Sequence, residues 1–353
     1  MARYPALIIM LFIVCPVSGC ASLSYYVQSV NGQLEILQKR QSIDVLIKNQ
    51  SLSQETLAQL ALVIQIRNFA INELGLPDNN SYLDYVELES DFVVWNVFAT
   101  PELSLQSREW CYLIVGCLDY RGYFKEKAAY TLANELEIQG YDVFVGGVSA
   151  YSTLGWFADP VLSSMLRSGD AYLARVIFHE LAHQKIYIKD DTEINEAFAD
   201  TVADAGMRRW LANNSSPLSY EQYEKDQALE DEFVGLVLRY RNQLDSLYKS
   251  DMPDPEKRLN KSAILKKMIN EYKQLNTGRE EGARYAAWFA TGLNNAKMMA
   301  VVTYRRYITG FKKILLAAED NLETFYHLAE QLRHCTHEQR RNILLSGNIH
   351  ISC

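Results

Sequence analysis

An α+β fold with a mostly helical C-terminal half is predicted by three features of the sequence. Two β-branched and aromatic runs, residues 91–100 and 110–118, are followed by a helix-like segment at 124–139 and a third strand-like run at 141–145. Strand, turn, helix and strand in this order predict a mixed sheet. Directly after it, residues 171–178 carry apolar positions at helical spacing with no Gly or Pro, and lead into His179-Glu180-Leu181-Ala182-His183. Beyond Trp210 the strand signals stop, and charged segments with weak apolar stripes take over.

The chain begins as an export signal. Arg3 gives a short positive start, residues 6–14 are apolar, and Val17-Ser18-Gly19 places small residues before Cys20. That run is too short to be a transmembrane span, and no later segment reaches about eighteen uninterrupted apolar residues. Val-Ser-Gly-Cys resembles the lipobox of bacterial lipoproteins. The resemblance implies removal of residues 1–19, lipidation of Cys20 and, with Ala21 and Ser22 rather than Asp following, an outer-membrane anchor facing the periplasm. An ordinary signal cleaved nearby is the alternative, and either route exports the protein.

The 353 residues, 48% of them hydrophobic, supply ample core. We expect a core with N-terminal helices over 20–212, a charged helical insertion at 213–280, and helices at 281–353 that complete the core. Helical patterns cover 26–39 and, after the start signal Ser53-Gln54-Glu55-Thr56, run on to Leu74. Gly75, Pro77 and Asn79-Asn80 end them. The insertion reads as a helical hairpin joined at residues 251–254, solvent-facing and placed to cover a cleft. Removing residues 1–19 takes the net charge from −8 to −9, and no segment is basic enough to hold nucleic acid.

His179 and His183 lie one helical turn apart on one face, close enough for both rings to reach a single ion. HExxH at this spacing reads as zinc held by the two imidazoles, with Glu180 free to take a proton from water at the metal. A catalytic zinc needs a third protein ligand and an open position. The polar stretch 189–192 starts a second helix through Asn195-Glu196-Ala197-Phe198-Ala199-Asp200, where Glu196 and Asp200 share a face thirteen residues and more beyond His183. One of them can bind the metal while the other holds an imidazole. No Cys lies near the motif, which argues against a closed structural site.

Residues 146–157 hold glycines that permit close backbone approach, with hydroxyls and aromatics suited to a cleft; Gly147 and Tyr151 are the candidate substrate contacts, and a tight turn with core aromatics is the alternative. Tyr304 on the helical segment 293–318 is the candidate donor to a tetrahedral oxyanion, with Tyr151 and Arg305 as competitors. Among the cysteines, an extended run between Cys111 and Cys117 would hold them roughly 20 Å apart, beyond disulfide reach. Cys335 and Cys353 are the more suitable pair; free thiols are the alternative.

HELAH at 179–183 with NEAFAD at 195–200 resembles the gluzincin metallopeptidases, whose second helix carries Asn-Glu-x-x-x-Asp. This implies a zincin-like fold, Glu196 as third ligand and Asp200 as partner of His179. The connecting loop is shorter here than in thermolysin-like members. Together with Cys111, residues 119–124 and 150–157, and the Asn294-Asn295-Ala296 and Thr303-Tyr304 helix, these motifs resemble a bacterial family of predicted aminopeptidases, commonly lipoproteins. The resemblance implies zinc-dependent hydrolysis of a peptide or protein substrate in the envelope, with one Zn2+ and a membrane partner through Cys20. The rival reading is a lipoprotein that keeps the metallopeptidase shape to act as a chaperone or assembly factor.

Overall fold

The apolar run expected as a strand at 91–100 is the centre of the main sheet in the computed structural model. The structure describes residues 19–112, 116–213, 220–277, 284–305, 307–346 and 353, with side chains from residue 24 onward except at 303 and 304. The expected leader apart from Gly19, and the Cys20 side chain, lie outside them. The chain falls into two units, divided after Lys39. The first contains helix α1 (Gly19–Gln38), which exposes Tyr26, Val27, Val30 and Leu34.

The second unit opens with β1 (Gln41–Ser42), α2 (Ile43–Asn49) and α3 (Gln54–Asn72). The Ser53 hydroxyl caps α3 by accepting the Thr56 amide at 3.1 Å. Next come β2 (Asp84–Val86), β3 (Val94–Pro101), β4 (Trp110–Tyr112), β5 (Gly116–Leu118), β6 (Tyr120–Tyr123), α4 (Glu126–Ile138) and β7 (Tyr141–Val148). β3 is the middle of an antiparallel sheet ordered β6-β3-β7, with Trp95 opposite Tyr123 and Gly147. Its side chains are buried without a break from Val94 to Thr100, so the sheet is covered on both faces.

The expected single strand at 110–118 is a hairpin. β4 and β5 pair antiparallel with Cys111 opposite Cys117, and the two cysteines form a disulfide. This overturns the extended reading, because a reversal brings side chains six residues apart into direct opposition. Cys335 and Cys353 form the second disulfide.

A short sheet ordered β1-β2-β8 (Val161–Leu162) and helix α5 (Ser163–Leu166) precede the two helices of the motif, α6 (Asp170–Lys185) and α7 (Thr192–Asn213). α7 is buried nearly all round and packs on α6. Then follow α8 (Tyr220–Lys249), α9 (Asp254–Leu275), α10 (Ala286–Ala290), α11 (Asn295–Arg305), α12 (Ile308–Ala317), α13 (Leu322–Gln331) and α14 (His337–Ser346).

The α8–α9 hairpin is not solvent-facing on both sides, as its composition suggested. Phe233, Val237, Tyr240, Leu244, Leu265 and Met268 build one core with Met298, Met299 and Val302 of α11. Asn295, with no exposed surface, donates to the Glu102 and Ser104 carbonyls at 2.9 and 3.0 Å and accepts from the Tyr248 hydroxyl at 2.9 Å. α11, which packs on β3 and β7, thereby joins the hairpin to the main sheet.

Candidate metal centre

α6 runs without interruption because residues 170–185 contain no Gly or Pro, and it buries Leu173, Ala174, Ile177, Phe178, Leu181 and Ala182. That face fixes the roll of the helix and leaves His179 and His183 on the side of α7. The connection is short and well tied. Asn195 brackets it, accepting the Ile188 amide and donating to the Ile188 carbonyl, both at 2.7 Å. The first residue of the NEAFAD pattern thus sets the position of the second.

Glu196 meets the two rings. Its Oε2 lies 3.2 Å from Nε2 of His179 and 3.7 Å from Nε2 of His183, while the two nitrogens are 3.1 Å apart. Ligands about 2.05 Å from a tetrahedral zinc are separated from one another by roughly 3.3 Å, so this triangle is the right size for one ion. The donor set, two imidazole nitrogens and one carboxylate oxygen, fits zinc among common ions.

Asp200, one turn beyond Glu196, accepts from Nδ1 of His179 at 3.1 Å. That fixes the tautomer, with Nε2 left as the ligand atom. Arg175, one turn before His179, donates to the same Asp200 oxygen at 2.7 Å, and Arg305 Nε lies 3.8 Å from the other. Arg305 is also paired with Glu230 of α8. The second imidazole has no such support: Nδ1 of His183 is buried and has no hydrogen-bond partner among the described residues.

The electrostatics follow from these contacts. Burial opposes charge on His179, but hydrogen bonds to Asp200 and Glu196 lift its pKa to about 10. Burial likewise opposes ionised Glu196, yet His183 and His179 bring it down to about 2. Against the same penalty, Arg175 and His179 hold Asp200 well below the usual carboxylate range. Glu180 goes the other way. Burial raises it, the histidine charges lower it, and Glu196 and Asp159 raise it further.

The remaining candidates are placed differently. Tyr151 stands in the loop after β7, edge-on to Phe124 at 5.6 Å. Gly147 lies in β7, but the space where its Cβ would go is filled by the Phe92 ring, 2.3 Å away, so this glycine admits Phe92 rather than a substrate backbone on that side. Tyr304 belongs to α11, and its side chain lies outside the described residues. Arg305, its competitor, is directed to Asp200 and Glu230.

Sequence reasoning missed three residues. Arg175 was detectable, since it precedes His179 by one turn on the same face. Asp159 and Tyr82 had no local signal. Asp159 is buried and accepts from Ser152, Thr153 and Gln184, the residue after His183. Tyr82 is also buried, adopts a φ of 64° and leaves its hydroxyl without a partner among the described residues. Its backbone amide donates to the Asp159 carbonyl at 2.7 Å, and burial, with the charges of Glu180 and Asp159 behind it, pushes the hydroxyl's pKa well up.

The family model described as "Putative aminopeptidase" matches residues 24–344. The chain belongs to this family. The matched range includes the candidate residues from Tyr82 to Arg305. No curated protein and no solved structure matches the chain.

Proposed function

We propose that the protein is a zinc-dependent peptide hydrolase of the bacterial envelope, built on a zincin-like scaffold with His179, His183 and Glu196 as ligands. The observation that carries this reading is the triangle of 3.1, 3.2 and 3.7 Å between their Nε2, Nε2 and Oε2 atoms. Three such ligands leave a fourth tetrahedral position open. Zinc held by these three residues would supply a Lewis acid for water and for the scissile carbonyl.

The chain's own residues do the rest. Glu180 accepts a proton from the attacking water and returns it to the leaving amine. Its burial raises its proton affinity toward the range that this exchange needs. Asp200 orients His179, with Arg175 and Arg305 keeping that carboxylate ionised. Tyr304 on α11 is the donor to the oxyanion. Asp159 does not serve as the site for a substrate ammonium group, because donors already occupy both of its oxygens. A lipid on Cys20 would hold the enzyme at the outer membrane.

Glu180→Gln tests the assignment: the variant keeps zinc and the fold while hydrolysis falls roughly 10²- to 10⁴-fold. Parental rates in this variant overturn it. Mass spectrometry of products from a peptide library then separates stepwise removal of amino-terminal residues from internal cleavage.

A further inference from the structure

We infer that Trp156 and Phe157 form an apolar subsite beside the metal centre, which selects peptides with a bulky apolar side chain next to the bond that is cut. The inference rests on the hydrolytic reading above and names the substrate class.

Trp156 is 68% exposed and Phe157 49%, the two most exposed aromatic residues described. Exposed aromatic pairs of this size on a soluble surface mark a contact. The loop that carries them is held in place. The Thr153 hydroxyl donates to Asp159 at 2.6 Å and accepts the Phe157 amide at 3.1 Å, while the Trp156 amide reaches the Thr153 carbonyl at 3.1 Å. Leu154 and Gly155 take φ values of 54° and 80° just before the pair. A β-turn region locked on both sides therefore holds two large rings toward solvent.

The loop abuts the helix of the metal centre on the side of the general base. Gln184, one turn beyond Glu180, donates to Asp159 Oδ2 at 3.1 Å. A Cβ on Gly155 would stand 3.9 Å from Gln184 Oε1. Trp156 follows Gly155 directly, so the ring pair begins next to Gln184, on the face of α6 that carries Glu180 one turn earlier. The one acid of the loop, Asp159, is buried and satisfied, which leaves an uncharged face for the substrate. A peptide side chain laid on it gains by loss of water from both surfaces, and discrimination between large and small side chains at such a pocket is roughly 10- to 200-fold.

The test uses the zinc-loaded full chain and two peptides that differ only in Phe against Ala beside the scissile bond. The parent is expected to favour the Phe peptide by tenfold or more in kcat/KM. In Trp156→Ala/Phe157→Ala this ratio falls to about one with zinc content unchanged, whereas Trp156→Phe keeps most of it. A double variant that retains the preference, or a parent without one, overturns the inference. If the parent cleaves neither peptide, the hydrolytic reading fails separately. Calorimetric binding of both peptides to Glu180→Gln still decides the subsite, because equal affinities overturn it. Adhesion to phospholipid vesicles that the double variant abolishes, with selectivity intact, assigns the rings to a membrane surface and also overturns it.

Discussion

The Cys117 amide donates to Oδ1 of Asp190 at 2.8 Å, tying the disulfide hairpin β4–β5 to the loop between the two ligand helices. Gly116 makes the contact possible. It adopts a φ of 84°, and a Cβ there would sit 2.2 Å from the same Asp190 oxygen. Gly116→Ala is therefore expected to cost about 1–3 kcal/mol, from a left-handed backbone and a clash together. A fall in the denaturant midpoint accompanied by weaker zinc retention checks it; an unchanged midpoint shows that the hairpin gives way freely.

The next residue of that loop is held by a buried ion pair. Arg340 Nε donates to Asp191 Oδ2 at 2.7 Å, and its Nη1 to the Cys335 carbonyl at 2.7 Å. Removing only the cation leaves a buried carboxylate without its partner. Arg340→Met should destabilise the protein by about 3–5 kcal/mol, and Asp191→Asn added to it should recover a large part of the loss. Equilibrium unfolding of the two variants measures both numbers.

Asp200→Asn addresses the support of the first ligand. The amide keeps the shape but gives up the charge shared by His179, Arg175 and Arg305. Zinc affinity is expected to drop about 10- to 100-fold, as read by competition with a chromogenic chelator. Unchanged affinity would mean that His179 is held by packing alone.

Tyr82→Phe should raise stability. The buried hydroxyl has no partner among the described residues, so folding strips it of water for no return, and its removal is worth about 1 kcal/mol. A higher melting temperature supports this; a loss of stability would show that the hydroxyl makes a bond in solution.

Chelation should lower the melting temperature, and added zinc should restore it, because an ion that binds only the folded state stabilises that state by mass action. His183→Ala should abolish the zinc-dependent part of the shift.

The sequence made the ligand pattern legible because helical spacing is a local property. HELAH and NEAFAD each declare a face, and two short helices in succession have few ways to bring those faces together. The central strand was legible for a similar reason, as a β-branched and aromatic run without Gly or Pro. The β4–β5 hairpin was not. Its reversal depends on Gly116 at positive φ inside residues that otherwise read as strand. The core face of α8 and α9 was also hidden, since charged residues surround a narrow stripe whose partners Met298 and Val302 come roughly thirty to seventy residues later. Asp159 meets Gln184 of α6, and Tyr82 meets Asp159, only through tertiary folding, and nothing in their neighbours announces it.

The anchor on Asp191 arrives 149 residues after the residue it secures, and Arg333, which donates to the Tyr187 carbonyl at 3.2 Å, comes nearly as late. A nascent polypeptide short of residue 333 already contains both imidazoles, their carboxylate and the Asn195 bracket, yet lacks the two arginines that close on the turn between them. The last segment of the chain thus completes the hold on that turn. Any product of premature termination would possess the ligands without those two clasps.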